Sequence, residues 1–199
     1  MTDSKPAPRP SARARLLAAA DELFYAEGVQ TVGIDRIIER AGVAKASLYN
    51  NFGGKEELVQ AYLRSRHDRT VARIVRAVER QDTPRERLLG VFDALGEIFA
   101  EPGFHGCAFV SASAEAPPGG LIEQTSGENR AWVVGLFTDL AERAGAADPA
   151  ALARRLHLLY DGASLAAGLD HDPTSAVSAR AAAAALLDAA TAPIVKSDI

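Results

Sequence analysis

Residues 33–52, GIDRIIERAGVAKASLYNNF, constrain this chain more than any other stretch. Ile34, Ile37, Ile38 and Ala41 recur at helical rather than strand spacing, which predicts a short helix. Gly42-Val43 follows. Glycine takes the left-handed conformation that ends a helix, and an apolar residue after it plugs the angle to the next one. A second helix of about two turns then carries Lys45, Ser47, Asn50 and Asn51, side chains suited to phosphates and base edges. Two short helices joined by a tight turn, with small polar groups on the second, form the layout of a helix-turn-helix. Its second helix enters the major groove of DNA.

The segment AGVAKASLYNNFGGKEEL closely resembles the signature of TetR-family transcriptional regulators, with its AGV turn, a recognition helix ending in LYxxF, and a following helix opening on K-E-E-L. The preceding ARARLLAAADELFYAEGVQTVGI fits the same pattern, so the resemblance covers about residues 12–60. Beyond that, only length and helical character agree. The resemblance implies an all-α fold of about nine helices. An N-terminal three-helix helix-turn-helix domain precedes a larger helical domain for ligand binding and dimerisation. It also implies a DNA-binding transcriptional regulator, a homodimeric repressor released from a palindromic operator by a small, mostly apolar ligand.

Charge is unevenly spread. Residues 1–80 hold 14 Lys+Arg against 10 Asp+Glu, whereas residues 81–199 hold 8 against 16. A basic N-terminal part beside an acidic remainder fits a DNA reader joined to a domain that leaves DNA alone, despite the net charge of −4. One cysteine, Cys107, excludes an intrachain disulfide. No apolar run approaches the ~20 residues that span a bilayer. The segment MTDSKPAPRPSAR lacks an apolar core, so it is not a secretory signal. These features predict a cytoplasmic protein with no membrane contact.

Pro6, Pro8 and Pro10 make residues 1–10 a disordered arm. Residues 11–60 read as the DNA-binding domain and 61–199 as the ligand-binding and dimerisation domain. Ser11 caps a first helix over 12–27, stopped by Gly28, with Leu16, Ala20, Leu23 and Phe24 on one stripe. Helices follow over 33–41, 44–51 and 54–80. Val71, Ile74, Val75 and Val78 line the second half of the long fourth helix, which bridges the two domains. Thr83-Pro84 with Glu86 is a capping box opening a fifth helix that ends at Glu101-Pro102-Gly103. A short apolar helix over 104–116 ends at PPGG. The remaining helices are expected over 121–143, from Asp148-Pro149 to about 169, and from Asp172-Pro173-Thr174-Ser175 to a stop before Pro193.

DNA contact is expected at Lys45, Ala46, Ser47, Tyr49 and Asn50. Lys45 brings a point charge for phosphate or guanine, Ser47 a hydroxyl, Tyr49 a hydroxyl and a flat ring, and Asn50 an amide that reads adenine or binds backbone. Leu48 and Phe52 belong to the core. By resemblance, Lys45, Ser47, Tyr49 and Asn50 are usual contacts and Lys55 binds phosphate. Two residues depart from the family pattern. Gly33 stands where Ser or Thr often caps the second helix, and Ala44 where Ser often precedes the third. Losing a side-chain cap costs about 0.5–2 kcal/mol. Backbone N–H groups at Gly33, with Thr31 beside them, remain available to phosphate.

The last two helices are rich in small residues, Gly162, Ala163, Ala166, Ala167 and Ala176 among them, with Leu186 and Leu187 to fill gaps. The resembled family dimerises through this pair. Aromatic residues gather between positions 92 and 160; the resemblance implies an effector site there, for which Phe92, Phe99, Cys107, Trp132 and Tyr160 are the lining candidates, the alternative being a closed aromatic core without a cavity.

Other functions find less support. A thiol-based oxidant or electrophile sensor using Cys107 needs an exposed thiol with a cationic neighbour, and FHGCAFV is apolar. His67, His105, His157 and His171 are scattered without metal-ligand spacing. There is no GxSxG, phosphate loop or dinucleotide fingerprint, so neither an enzyme, a metal nor another cofactor is expected. A helical protein without DNA binding remains the bland alternative.

Overall fold

The computed structural model describes residues 10–192. The N-terminal arm, apart from Pro10, lies outside them. Among the described residues there are nine α-helices: α1 (Ala12–Glu27), α2 (Ile34–Ala41), α3 (Lys45–Phe52), α4 (Lys55–Glu79), α5 (Pro84–Phe99), α6 (Ala108–Glu115), α7 (Leu121–Arg143), α8 (Pro149–Asp170) and α9 (Ser175–Thr191). None is long and apolar enough to cross a membrane. The chain divides into two compact units. One holds the residues up to Ser65 together with Ser111–Thr125; the other holds Arg66–Val110 and the residues from Ser126 onward.

Caps set the helix boundaries. Ser11 Oγ accepts the Ala14 N–H at 3.2 Å, Thr83 Oγ1 the Glu86 N–H at 3.2 Å, and Asp148 Oδ1 the Ala151 N–H at 2.9 Å. Pro occupies the first turn of α5 and α8, where no partner for its missing N–H is needed. The expected helix over 104–116 is shorter, beginning only at Ala108. Gly103 and Gly106 take positive φ, 80° and 92°, and turn the chain before the helix starts.

In the first unit, Leu16, Ala20, Leu23 and Phe24 of α1 pack with Ile37, Ile38 and Ala41 of α2 and Leu48 of α3, all buried. Leu58, Val59, Tyr62 and Leu63 of α4 are buried too, and the Phe24 and Tyr62 rings lie 5.7 Å apart. Ion pairs reinforce the outer edge, where Arg36 meets Glu27 and Arg40 meets Glu22 at 2.8 Å. The end of α6 and the start of α7 join this unit through a clasp. The Gln30 N–H donates to Glu115 Oε2 at 2.7 Å, the Gln30 amide to the Glu115 carbonyl at 3.3 Å, and the Leu121 N–H to Glu56 Oε1 at 3.0 Å.

In the second unit, Leu88, Val91, Phe92 and Leu95 of α5 meet Val133, Phe137 and Leu140 of α7, Leu152, Leu156 and Tyr160 of α8, and Ala179, Ala183 and Leu187 of α9. Phe92 stacks on Phe137 at 5.7 Å. Val75 differs from expectation. Ile74 and Ala77 of α4 are buried, while Val75 is 36% exposed on the other side of the helix. A network of Arg85, Glu86, Asp93, Arg180 and Asp188 binds α5 to α9, with Arg85 gripping both Asp188 oxygens at 2.9 and 3.0 Å.

Candidate nucleic-acid interface

The turn between α2 and α3 is closed from both sides. Gly42 takes φ 61°, ψ 49°, its N–H reaches the Glu39 carbonyl at 3.1 Å, and the Val43 N–H reaches the Ile38 carbonyl at 3.3 Å. This pair of bonds is the Schellman arrangement, and a left-handed residue at its centre is what glycine supplies without a Cβ penalty. Arg15 of α1 then donates to the Ala41 and Gly42 carbonyls at 3.0 and 2.8 Å. The cation caps the negative end of α2. Arg13 lies over the Phe52 ring, 5.1 Å from its centre. Both arginines hold the reading head together.

Helix α3 has one buried and one bare side. Leu48 is fully buried, which contributes about 1.5–3 kcal/mol and sets the rotation of the helix. Phe52 is half-buried beside it. Lys45, Ala46, Tyr49 and Asn50 are exposed and share an arc of about 140° at 100° per residue. Tyr49 is 46% exposed, a large ring left in solvent. Ser47 is half-buried at the side of this arc, and its carbonyl accepts the Asn51 amide at 2.7 Å. Neither Gly33 nor Ala44 supplies a side-chain cap. Thr31 and Gly33 are exposed, and nothing lies within 4 Å of where a Gly33 Cβ would point. The first N–H groups of α2 and α3 therefore lack side-chain partners, as an approaching phosphate requires.

Lys45 Nζ pairs with Asp35 Oδ1 of α2 at 3.0 Å, a partner the sequence pattern did not suggest. Hydrogen bonding to Asp35 and its charge push the ammonium pKa upward, so Lys45 stays charged. Lys55 Nζ reaches the Gln30 carbonyl at 3.4 Å.

The five pocket candidates all lie in the second unit. Phe92, Phe99 and Tyr160 are buried; Cys107 and Trp132 are half-buried. Trp132 meets His67 edge-on at 5.5 Å, and Phe99 meets Phe104 at 5.0 Å. Burial pushes the Cys107 thiol upward, the reverse of what a reactive thiolate needs, and raises Tyr160 as well. His157, buried with Nδ1 3.5 Å from Asp161 Oδ2, is driven downward by the same cause.

Among the described residues no group of three or more His, Cys, Asp or Glu is placed to hold a metal. A bare polar arc on a two-turn helix, fixed by a glycine turn, defines a helix-turn-helix reading head. The chain matches the family described as "Bacterial regulatory proteins, tetR family" over residues 16–62. It is similar along nearly its whole length to the crystal structure of a TetR-family transcriptional regulator from Streptomyces coelicolor. The TM-score is 0.85 at 34% identity, covering 91% of this chain and 96% of that one. The transcriptional activator FasR of Mycolicibacterium smegmatis is 38% identical over 87 residues, 44% of this chain and 40% of its own length. The transcriptional repressor KstR2 of Mycobacterium tuberculosis is 37% identical over 84 residues, 42% of each. The match thus spans about two fifths of these curated relatives. The chain belongs to the TetR family of DNA-binding transcriptional regulators, which are not enzymes.

Proposed function

We propose that the chain is a cytoplasmic homodimeric repressor that covers a palindromic operator and leaves it when a small apolar effector binds the second unit. The observation that carries the DNA-reading part is the exposed arc of Lys45, Ala46, Tyr49 and Asn50 opposite the fully buried Leu48. Ser47 flanks the arc. Thr31, Gly33 and Lys55 take phosphates around it, fixing register while the arc reads base edges. One such head makes few contacts. Two heads spaced about 34–36 Å apart read two half-sites and double the electrostatic term.

The dimer reading rests on α8. Leu158, Gly162, Leu165 and Leu169 fall on one stripe, and the three leucines are 70%, 52% and 70% exposed. Val177 of α9 is 68% exposed. Of the small residues singled out in the sequence, Gly162 lies in this stripe, while Ala163, Ala167 and Ala176 are buried within the chain. A row of leucines left in water on a small protein is an association surface.

Release requires an effector that binds the freed conformation better than the DNA-bound one. Phe92, Phe99, Cys107, Trp132 and Tyr160 offer the apolar surroundings such a molecule needs. Selection of bound duplexes from random DNA is the deciding test. Enrichment of an inverted repeat with half-sites one helical turn apart is expected, and no enrichment in low salt would overturn the reading.

A further inference from the structure

The first unit contains a cleft of about 250 Å³, outside the second unit where the effector reading lies. Its apolar wall is built from Val29, Val59 and Ile122, which are 3%, 2% and 7% exposed, with Pro117 at the edge. Its polar wall is Gln30, Lys55 and Glu56. At ~30 Å³ per water this equals about eight waters, below the usual range for large ligands and enough for a single ring or a short acyl chain.

The charges around it are unequally engaged. Glu56 accepts the Leu121 N–H at 3.0 Å, at the start of α7, and Glu115, outside the lining, accepts the Gln30 N–H at 2.7 Å. Both carboxylates are thus engaged by backbone donors. Lys55 carries three N–H donors, and its bond is the 3.4 Å contact to the Gln30 carbonyl. Lys55 is the cation of the lining and stands beside the apolar wall, with the Glu56 carboxylate, still charged, turned to the start of α7.

We propose that this cleft is a second small-molecule site, taking a compact apolar carboxylate whose ring or chain lies on Val29, Val59 and Ile122 and whose oxygens accept from Lys55. The regulatory consequence rests on the DNA-reading assignment of Lys55. A carboxylate held by Lys55 withdraws one phosphate contact from each reading head. It also bears on Gln30, which opens the 30–33 loop leading into α2. Control at this site is local competition, independent of any change in the second unit.

The test uses the full chain with methyl-labelled Val, Ile and Leu, and benzoate as probe, with benzylamine as the same shape of opposite charge. Benzoate is expected to shift the methyls of Val29, Val59 and Ile122, and benzylamine to leave them in place. Ala116→Phe, which fills the cleft from its half-buried rim, should abolish the shifts while operator binding persists. With saturating benzoate, the slope of log affinity against log salt should fall by about 0.9 per lysine withdrawn. Unmoved methyls, shifts confined to the second unit, or equal response to benzylamine would each overturn the proposal. The shifts are read without DNA, so failure of this site and failure of DNA recognition are separate results. Should Ala116→Phe not fold, the location of the shifts in the unaltered chain decides alone.

Discussion

Arg15 on α1 holds the carbonyl of Gly42 at 2.8 Å, across 27 positions of sequence. The turn of the reading head is thereby tied to the helix that supports it, and the Ala41 carbonyl at 3.0 Å shares the same Nη1. Bonds from a charged donor are worth about 1.5–3 kcal/mol, reduced where solvent reaches them. Arg15→Ala should lower stability by roughly 1–2 kcal/mol in urea unfolding. Operator affinity should fall with it, because the angle between α2 and α3 loosens. Arg15→Lys, with a single point donor, should recover only part of both. Unchanged unfolding in the alanine variant would remove Arg15 from the frame of the head.

The Lys45–Asp35 pair sets a choice between partners. Lys45 meets a carboxylate at 3.0 Å, so for the proposed contact DNA must offer something better than Asp35. Asp35 itself, near the start of α2, would repel phosphates drawn to the bare N–H groups there. Random duplex supplies phosphate alone, whereas an operator supplies base edges as well. Asp35→Asn should raise affinity for random duplex by about two- to fivefold, the scale of a surface charge pair. Operator affinity should rise less, so the ratio of the two falls. Fluorescence anisotropy with both duplexes at one salt concentration reads this directly. An unchanged ratio would make the pair incidental.

The exposed leucines of α8 predict a monomer on demand. Leu165 lies mid-stripe and is 52% exposed, so its replacement costs the single chain little. In the proposed dimer, Leu165→Glu would place two carboxylates in an apolar seam, and each buried charge costs several kcal/mol. Dimer affinity should drop by at least about a hundredfold in sedimentation, with helical circular dichroism intact. Operator binding should collapse in step, because the second half-site is lost.

These cases mark where sequence was legible and where it was not. The spacing of Ile34, Ile37, Ile38 and Ala41 and the Gly42 turn located the reading head, because helix period and left-handed glycine are local properties. Capping groups at Ser11, Thr83 and Asp148 located helix starts for the same reason. Period alone says that residues share a side, not which side faces inward. Hence Val75 shares a stripe with Ile74 yet is 36% exposed, and Ala163 and Ala167, which sequence alone assigns to pairing between chains, are buried within this one. The clasp of Gln30 and Glu115 joins residues 85 apart, and Arg15 to Gly42 spans 27. Neither leaves a periodic trace. The short α6 follows from Gly103 and Gly106, whose positive φ overrides an apolar run that otherwise reads as helix.

His157 makes the stability of the second unit depend on pH. Its ring is 3% exposed, and burial holds its pKa below the ordinary 6.5, outweighing the upward pull of Asp161 at 3.5 Å; Arg130 also pushes it down. A histidine depressed in the fold binds its proton more readily when unfolded. Above pH 6.5 both states are neutral there and stability is flat in this group. Between 6.5 and the lower folded value, the unfolded state gains protons first, so stability falls as pH falls. Chemical unfolding between pH 7.5 and 5 should show that loss, before most carboxylates titrate. His157→Gln keeps an amide in place of the ring and carries no titrating group. It should flatten the profile across this window, whatever its stability at pH 7.5. A variant that retains the full slope would assign the pH dependence to another group.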